Sequence, residues 1–158
     1  AYPVKAKKAD KPHRHSLVFA LMYDDKLLWI KRQSGTGTGI WDGLYALPML
    51  MINDKQSDVP HDLHYAKTMH DKYTHAQNPS LAESQVLDNL PNIAINHPKT
   101  IKHTLTHFHW HLSLVEINID KTLYDNINHA LTAIHADFVW QKGCDGLGVP
   151  KAMGKLVG

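Results

Sequence analysis

Two short apolar runs, SLVFALMY (Ser16 to Tyr23) and KLLWIKRQ (Lys26 to Gln33), are separated only by Asp24 and Asp25. No other feature restricts the fold as tightly, because two apolar runs joined by two turn-forming residues read as a β-hairpin. Extended structure resumes over LYALPMLMI (Leu44 to Ile52), where Pro48 has no N–H for a ladder and so suggests an edge or a bulge. Between these segments SGTGTG (Ser34 to Gly39) reads as a flexible loop. It lacks the Gly-Lys-Ser/Thr ending of a phosphate-binding loop, and it does not open a helix as a dinucleotide fingerprint does.

Helical signals follow. The segment from Asp58 to roughly Gln77 is the strongest: Asp58 can cap the first turn, Pro60 suits the opening position, and Leu63, Ala66, Met69 and Tyr73 fall on one face. A second short helix is expected over Leu81 to Leu90. Thr100 to Ile119 reads as one or two strands, broken near Leu105 to His107. Leu123 to Leu131 is ambiguous, DFVWQ (Asp137 to Gln141) suits a last short strand, and Pro150 opens a terminal helix, KAMGKLV. There is no internal repeat. Hairpins mixed with a few helices predict an α+β or α/β sandwich.

The 158 residues fit one domain, and an apolar fraction of 43% argues against wholesale disorder. There is no apolar run long enough to span a bilayer, and the opening AYPVKAKKADKPHRH is basic without the apolar centre of a secretory signal. It reads as a linker, so residues 1–14 are expected to continue from something larger and 15–158 to form the domain. The single cysteine, Cys144, excludes an intramolecular disulfide or a cysteine-built metal or iron–sulfur site in this chain, which fits a reducing, cytoplasmic setting. Cys144 itself is read as structural, and Trp29, Trp41 and Trp140 as core residues. The net charge of +2 does not announce nucleic-acid binding, but its distribution is uneven: residues 1–33 hold eight cations against three carboxylates, while residues 53–92 are net acidic. A basic opening of this kind either follows a phosphate backbone or is simply solvated.

The stretch KHTLTHFHWHL (Lys102 to Leu112) carries four histidines in eleven residues. Strict alternation would put His103, Leu105, His107, His109 and His111 on one face, with Thr104, Thr106, Phe108, Trp110, Leu112 and Leu114 on the other, the core side from Phe108 onward. One reading is a metal site, since His-x-His on a strand brings two imidazoles near one ion; a single strand does not easily supply zinc with a closed shell, however. Another is a solvated or hydrogen-bonded strand face with no ligand.

Four segments in order carry a resemblance that spans nearly all of the chain: YPVKAKKADKP; KLLWIKRQ followed by GIWDGLYALP, with Arg32, Gly39, Ile40, Trp41, Asp42, Gly43, Leu44, Tyr45 and Pro48; KHTLTHFHWHL; and GCDGLGVPKAMGKLV. Together they resemble the C-terminal domain of the MutY family, adenine DNA glycosylases that act opposite 8-oxoguanine. The resemblance implies a Nudix-like fold, a mixed β-sheet sandwiched between helices. It also implies that the catalytic carboxylate, the base-flipping pocket and a 4Fe-4S cluster lie in an upstream catalytic domain. This chain alone would then be non-catalytic, with no cofactor and no metal of its own. The implied partners are double-stranded DNA with 8-oxoguanine opposite adenine, the upstream domain, and repair proteins reached through the linker. The implied state is a monomer without membrane association, cytoplasmic and acting at the bacterial nucleoid.

The family's Phe-Ser-His loop meets the damaged base, and its matching positions are Leu105, Thr106 and His107. Oxidation at C8 turns N7 from an acceptor into an N–H donor, so a positioned hydroxyl can accept from the lesion and not from guanine. One such base-edge contact is worth about 1–3 kcal/mol. Thr106 keeps the hydroxyl of serine, with restricted χ1. Leu105 forgoes aromatic stacking and can still wedge between bases. His103, His109, Arg32, Lys5, Lys7 and Lys8 are further candidate DNA contacts.

MutT-type enzymes of the same fold hydrolyse nucleotides with clustered glutamates holding magnesium. Here Glu83 and Glu116 are the only glutamates, no Arg-Glu-x-x-Glu-Glu run follows LPMLM, and Asp58 and Asp62 alone could share a helix face. A Nudix-fold nucleotide hydrolase or nucleotide binder, or a protein-interaction module, are the alternative readings.

Overall fold

The computed structural model describes residues 11–32, 41–54, 59–73, 80–96 and 98–157. Lys5, Lys7, Lys8, Asp58 and the Ser34 to Gly39 loop lie outside the described residues. The hairpin is present: β1 (His13–Tyr23) pairs antiparallel with β2 (Lys26–Lys31), with Met22 opposite Leu27 and Tyr23 opposite Lys26. Asp24 and Asp25 sit at φ 51° and 61°, the left-handed pair that matches the twist of a two-residue hairpin and that aspartate tolerates better than most residues. Because β1 begins at His13, residues 13 and 14 belong to the sheet and not to the linker expected to end there.

After β3 (Tyr45–Ala46) and β4 (Met49–Asn53) come helices α1 (Leu63–Lys72) and α2 (Leu81–Asn89). Then follow β5 (Lys99–Thr104), β6 (His109–Asn118), α3 (Lys121–Ala133), β7 (Phe138–Gln141) and α4 (Lys151–Val157). The described strands form one mixed sheet in the order β3-β2-β1-β6-β5, with β4 also on β1 and β7 on β2. β1 is its axis. One edge runs parallel to β6 from His13–His109 to Met22–Asn118; the other is shared between β4 and β2. Pro48 separates β3 from β4, and its carbonyl accepts from Phe19 N–H at 2.8 Å where β1 passes from one partner to the other.

Alternation along β1 divides the core. Leu17, Phe19 and Leu21 face one layer, packed with Leu63 and Ala66 of α1, Val86 and Leu87 of α2, and Ile127 and Leu131 of α3. Val18 and Ala20 face the other, with Trp29, Trp110, Leu112, Leu114 and Ala152, Met153 and Leu156 of α4. The sheet is thus sandwiched between helices, as expected. Each of these large apolar side chains contributes about 1.5–3 kcal/mol on leaving water.

The helices correct two expectations. α1 starts at Leu63, five residues after Asp58, because Asp62 is the cap: its carboxylate accepts from Tyr65 N–H at 2.7 Å. The ambiguous Leu123 to Leu131 stretch lies in a helix, capped by Asp120, with Leu123, Ile127 and Leu131 four apart along the buried face. α2 lies where the sequence put it, held by a capping box between Ser80 and Glu83. α4 follows Pro150, and its last carbonyls, of Lys155 and Leu156, accept from Lys99 Nζ at 3.2 Å. Trp29 is core, while Trp41 and Trp140 are half-buried at its margins. Among the described residues no helix is long and apolar enough to cross a membrane.

Candidate functional site

β5 and β6 are antiparallel, and residues 105–108 connect them. Leu105 N–H donates to Phe108 O at 2.9 Å and closes the turn. Its two ends are anchored: Phe108 is buried and Leu105, half-buried, packs against the α4-side core. The middle is not, so Thr106 and His107 are exposed to solvent. The segment leading into β1 laces onto the same turn. Lys11 Nζ donates to Leu105 O at 3.1 Å, His109 N–H donates to Pro12 O at 2.9 Å, and the Arg14 guanidinium lies 4.4 Å from the centre of the Phe108 ring. The turn's two ends are therefore fixed by backbone bonds and packing, while Thr106 and His107 between them are exposed. Leu105 serves the core first, and acting as a wedge between bases would take it out of that packing.

The expected single face of histidines does not form. A turn resets the alternation: Thr104 pairs with His109, His103 with Trp110 and Lys102 with His111. His103 therefore lies on the Trp110 side, 6.1 Å from the Trp41 ring, and Trp41 in turn stacks on Trp110 at 4.8 Å. Burial, and then Lys155, hold the His103 imidazole below its ordinary pKa of 6.5.

His109 and His111 meet two residues that sequence reasoning missed, His13 and His15. The parallel register of β1 and β6 puts His13 beside His109 and His15 beside His111. The His13 ring stacks at 4.9 Å on His109 and at 5.1 Å on His111, with His13 Nδ1 and His111 Nε2 hydrogen-bonded at 2.8 Å. His15 Nε2 bonds Ser113 Oγ at 2.7 Å, Ser113 Oγ bonds Thr100 Oγ1 at 2.8 Å, and Thr104 Oγ1 bonds His109 Nδ1 at 3.0 Å. Burial, then His13, Lys102 and His109, push the His111 pKa down. The signal was there in the repeated His-x-His of residues 13–15 and 109–111, but only the strand order joins the two.

Arg32, a candidate DNA contact, is turned into the fold. Its side chain is 8% exposed, and Nη1 bonds Glu83 Oε1 at 3.0 Å. Glu83 is equally committed: Oε1 also accepts from Ser80 Oγ at 3.0 Å, and Oε2 accepts from Met49 N–H at 2.7 Å. This buried carboxylate ties the end of β2, the start of β4 and the cap of α2 together. Asp62 is occupied as a helix cap. Among the described residues no three His, Cys, Asp or Glu side chains are grouped to hold a metal ion. The donor set among the described residues does not fit a clustered-carboxylate magnesium centre.

Compared with known protein families, residues 17–158 match the NUDIX domain. The chain belongs to the NUDIX-domain family. The match begins inside β1 and takes in every later element, including the sheet, the 105–108 turn and α4. No curated protein matches the chain significantly.

Proposed function

We propose that this NUDIX domain reads 8-oxoguanine opposite adenine in duplex DNA, as the lesion-recognition module of an adenine DNA glycosylase in base excision repair of A:8-oxoguanine and A:G mispairs. The observation that carries the reading is the turn of residues 105–108, which is clamped at both ends while Thr106 and His107 face solvent. A hydroxyl held in that way can accept from the N7–H of the lesion and has no equivalent donor on guanine. Glycosidic cleavage and a 4Fe-4S cluster belong in this proposal to an upstream catalytic domain of the same protein, and repair-protein partners to the residues before His13. The chain acts as a monomer in the cytoplasm, without catalysis of its own.

The donor set also supports this reading over nucleotide hydrolysis, since Glu83 is bound to Arg32, Ser80 and Met49 within the fold. Magnesium-dependent phosphate or pyrophosphate release from 8-oxo-dGTP by the chain would reverse that preference.

The test is binding of Thr106→Ala and Thr106→Ser to duplexes with 8-oxoguanine or guanine opposite adenine. Thr106→Ala is expected to lose about 1–3 kcal/mol of preference for the damaged duplex, and Thr106→Ser to keep it. Equal weakening on both duplexes would remove the discriminating role from this hydroxyl.

A further inference from the structure

The imidazole seam extends sideways from the turn into a surface that the base-reading argument does not use. On one face of the sheet stand Lys102 and Thr104 of β5, His109 and His111 of β6, and His13 of β1. Lys102 and Thr104 are exposed and His13 and His109 half-buried, so the row is accessible along its outer side. Lys11 is held next to it by its bond to the Leu105 carbonyl. The groups that act electrostatically on His111 are all bases: His13 from β1, Lys102 from β5 and His109 from β6 itself. His15 adds a further ring edge-on at 6.4 Å.

A row of bases this close repels itself when charged, so burial and its neighbours disfavour the charged form of His111. The bond between His13 Nδ1 and His111 Nε2 needs one N–H and one bare nitrogen. The pair can take up one proton and keep that bond; a second proton breaks it. An anion laid along the row favours the charged form and draws that proton in. The groups present, two lysines, imidazoles and a threonine hydroxyl, are those that contact phosphate oxygens in nucleic-acid complexes.

We propose that Lys11, His13, Lys102 and His109 seat a phosphodiester flanking the base that the 105–107 turn reads, with a proton taken up by the imidazole row on binding. This rests on the reading given under Proposed function and adds the part that holds the backbone. The turn distinguishes the base, and the row grips the strand in a pH-dependent way.

The experiment is a titration of the chain with short duplexes, damaged and intact, at fixed ionic strength across about pH 6 to 8 with a chelator present throughout. Uptake of one proton makes the wild type bind the intact duplex more tightly toward the acid end, by up to about tenfold per pH unit. His13→Gln flattens that slope, and Lys102→Gln weakens binding to both duplexes and lowers the salt dependence by about one phosphate contact. Histidine ring proton shifts on adding intact duplex to the wild type give a second readout that needs no variant to fold.

A slope unchanged in His13→Gln, or ring protons that ignore the duplex, overturns the phosphate seat. So does a pH slope that appears only when the chelator is omitted, which would assign the row to a metal. If the wild type has the slope but binds damaged and intact duplexes equally, the lesion reading falls and the seat stands. If it prefers the damaged duplex with a slope indifferent to His13, the seat falls and the lesion reading stands. Binding to neither duplex at any pH overturns both.

Discussion

Two polar seams lie within this sandwich, and they obey opposite rules. In the first, Arg32 and Glu83 meet at 3.0 Å with both side chains under a tenth exposed, and both oxygens of Glu83 meet donors. Opposite charges cancel, and backbone and cap donors complete the set. The second contains His13, His15, His109 and His111, and the neighbours acting on His111 are basic. Burial and these neighbours disfavour a charge on His111. The neutralised seam is architecture: it fixes where β2, β4 and α2 meet. The imidazole seam is held by ring stacking and hydrogen bonds, with basic groups beside it.

The comparison is broken most forcefully at Glu83. Glu83→Ala leaves the Arg32 guanidinium buried without its carboxylate and removes the acceptor for Met49 N–H. A loss of about 3–5 kcal/mol is expected, read as a fall in the urea midpoint at unchanged slope. A change below about 1 kcal/mol would mean that water reaches Arg32 and that the seam is not a closed one.

These two seams also mark where the sequence could be read and where it could not. Local signals carry through: Asp24-Asp25 mark the hairpin turn, the short helix expected over Leu81 to Leu90 forms, and Pro150 opens α4. Each depends on residues a few positions apart. The same holds for the break at residues 105–107, where the apolar pattern pauses. What failed was either phase or distance. Alternation counted through the turn misplaced His103, because pairing Thr104 with His109 shifts the register of every later residue. Asp58 reads as the cap of the first helix, whereas α1 starts at Leu63 and is capped by Asp62. Arg32 and Glu83 are 51 positions apart, and His13 and His111 are 98 apart. Their pairing follows from strand order, which no local pattern encodes. A basic residue in a linker-like segment reads as solvated until β1 is seen to begin at His13.

A smaller effect sharpens the contrast between the two sides of β6. Across the sheet from the imidazoles, Trp110 Nε1 donates to Ser16 Oγ at 2.8 Å, both groups fully buried and neither of them charged. Ser16→Ala strands that indole N–H in the apolar layer and is expected to cost about 1–3 kcal/mol, with the same loss at every pH between about 5 and 8. Unfolding curves for this variant across that range should run parallel to those of the wild type. A loss that grew toward acid would mean that the two faces of β6 are coupled.

The smallest effect at neutral pH is expected at His111, and it is the one whose sign depends on pH. Its folded-state pKa lies below the ordinary 6.5 of an imidazole, chiefly through burial and then through His13, Lys102 and His109. Between the two values the unfolded chain holds the extra proton, so this contribution to stability is fully present above the unfolded value. It falls away as pH drops through 6.5 toward the folded value. His111→Leu replaces the ring by an apolar side chain and removes that proton from the balance. Near pH 8 the cost should stay within about 1.5 kcal/mol, because His13 is half-buried and can turn its freed nitrogen to water. Toward pH 5 the variant should lose less stability than the wild type, and the two curves should converge or cross. Parallel curves would mean that the burial of His111 carries no part of the chain's pH dependence.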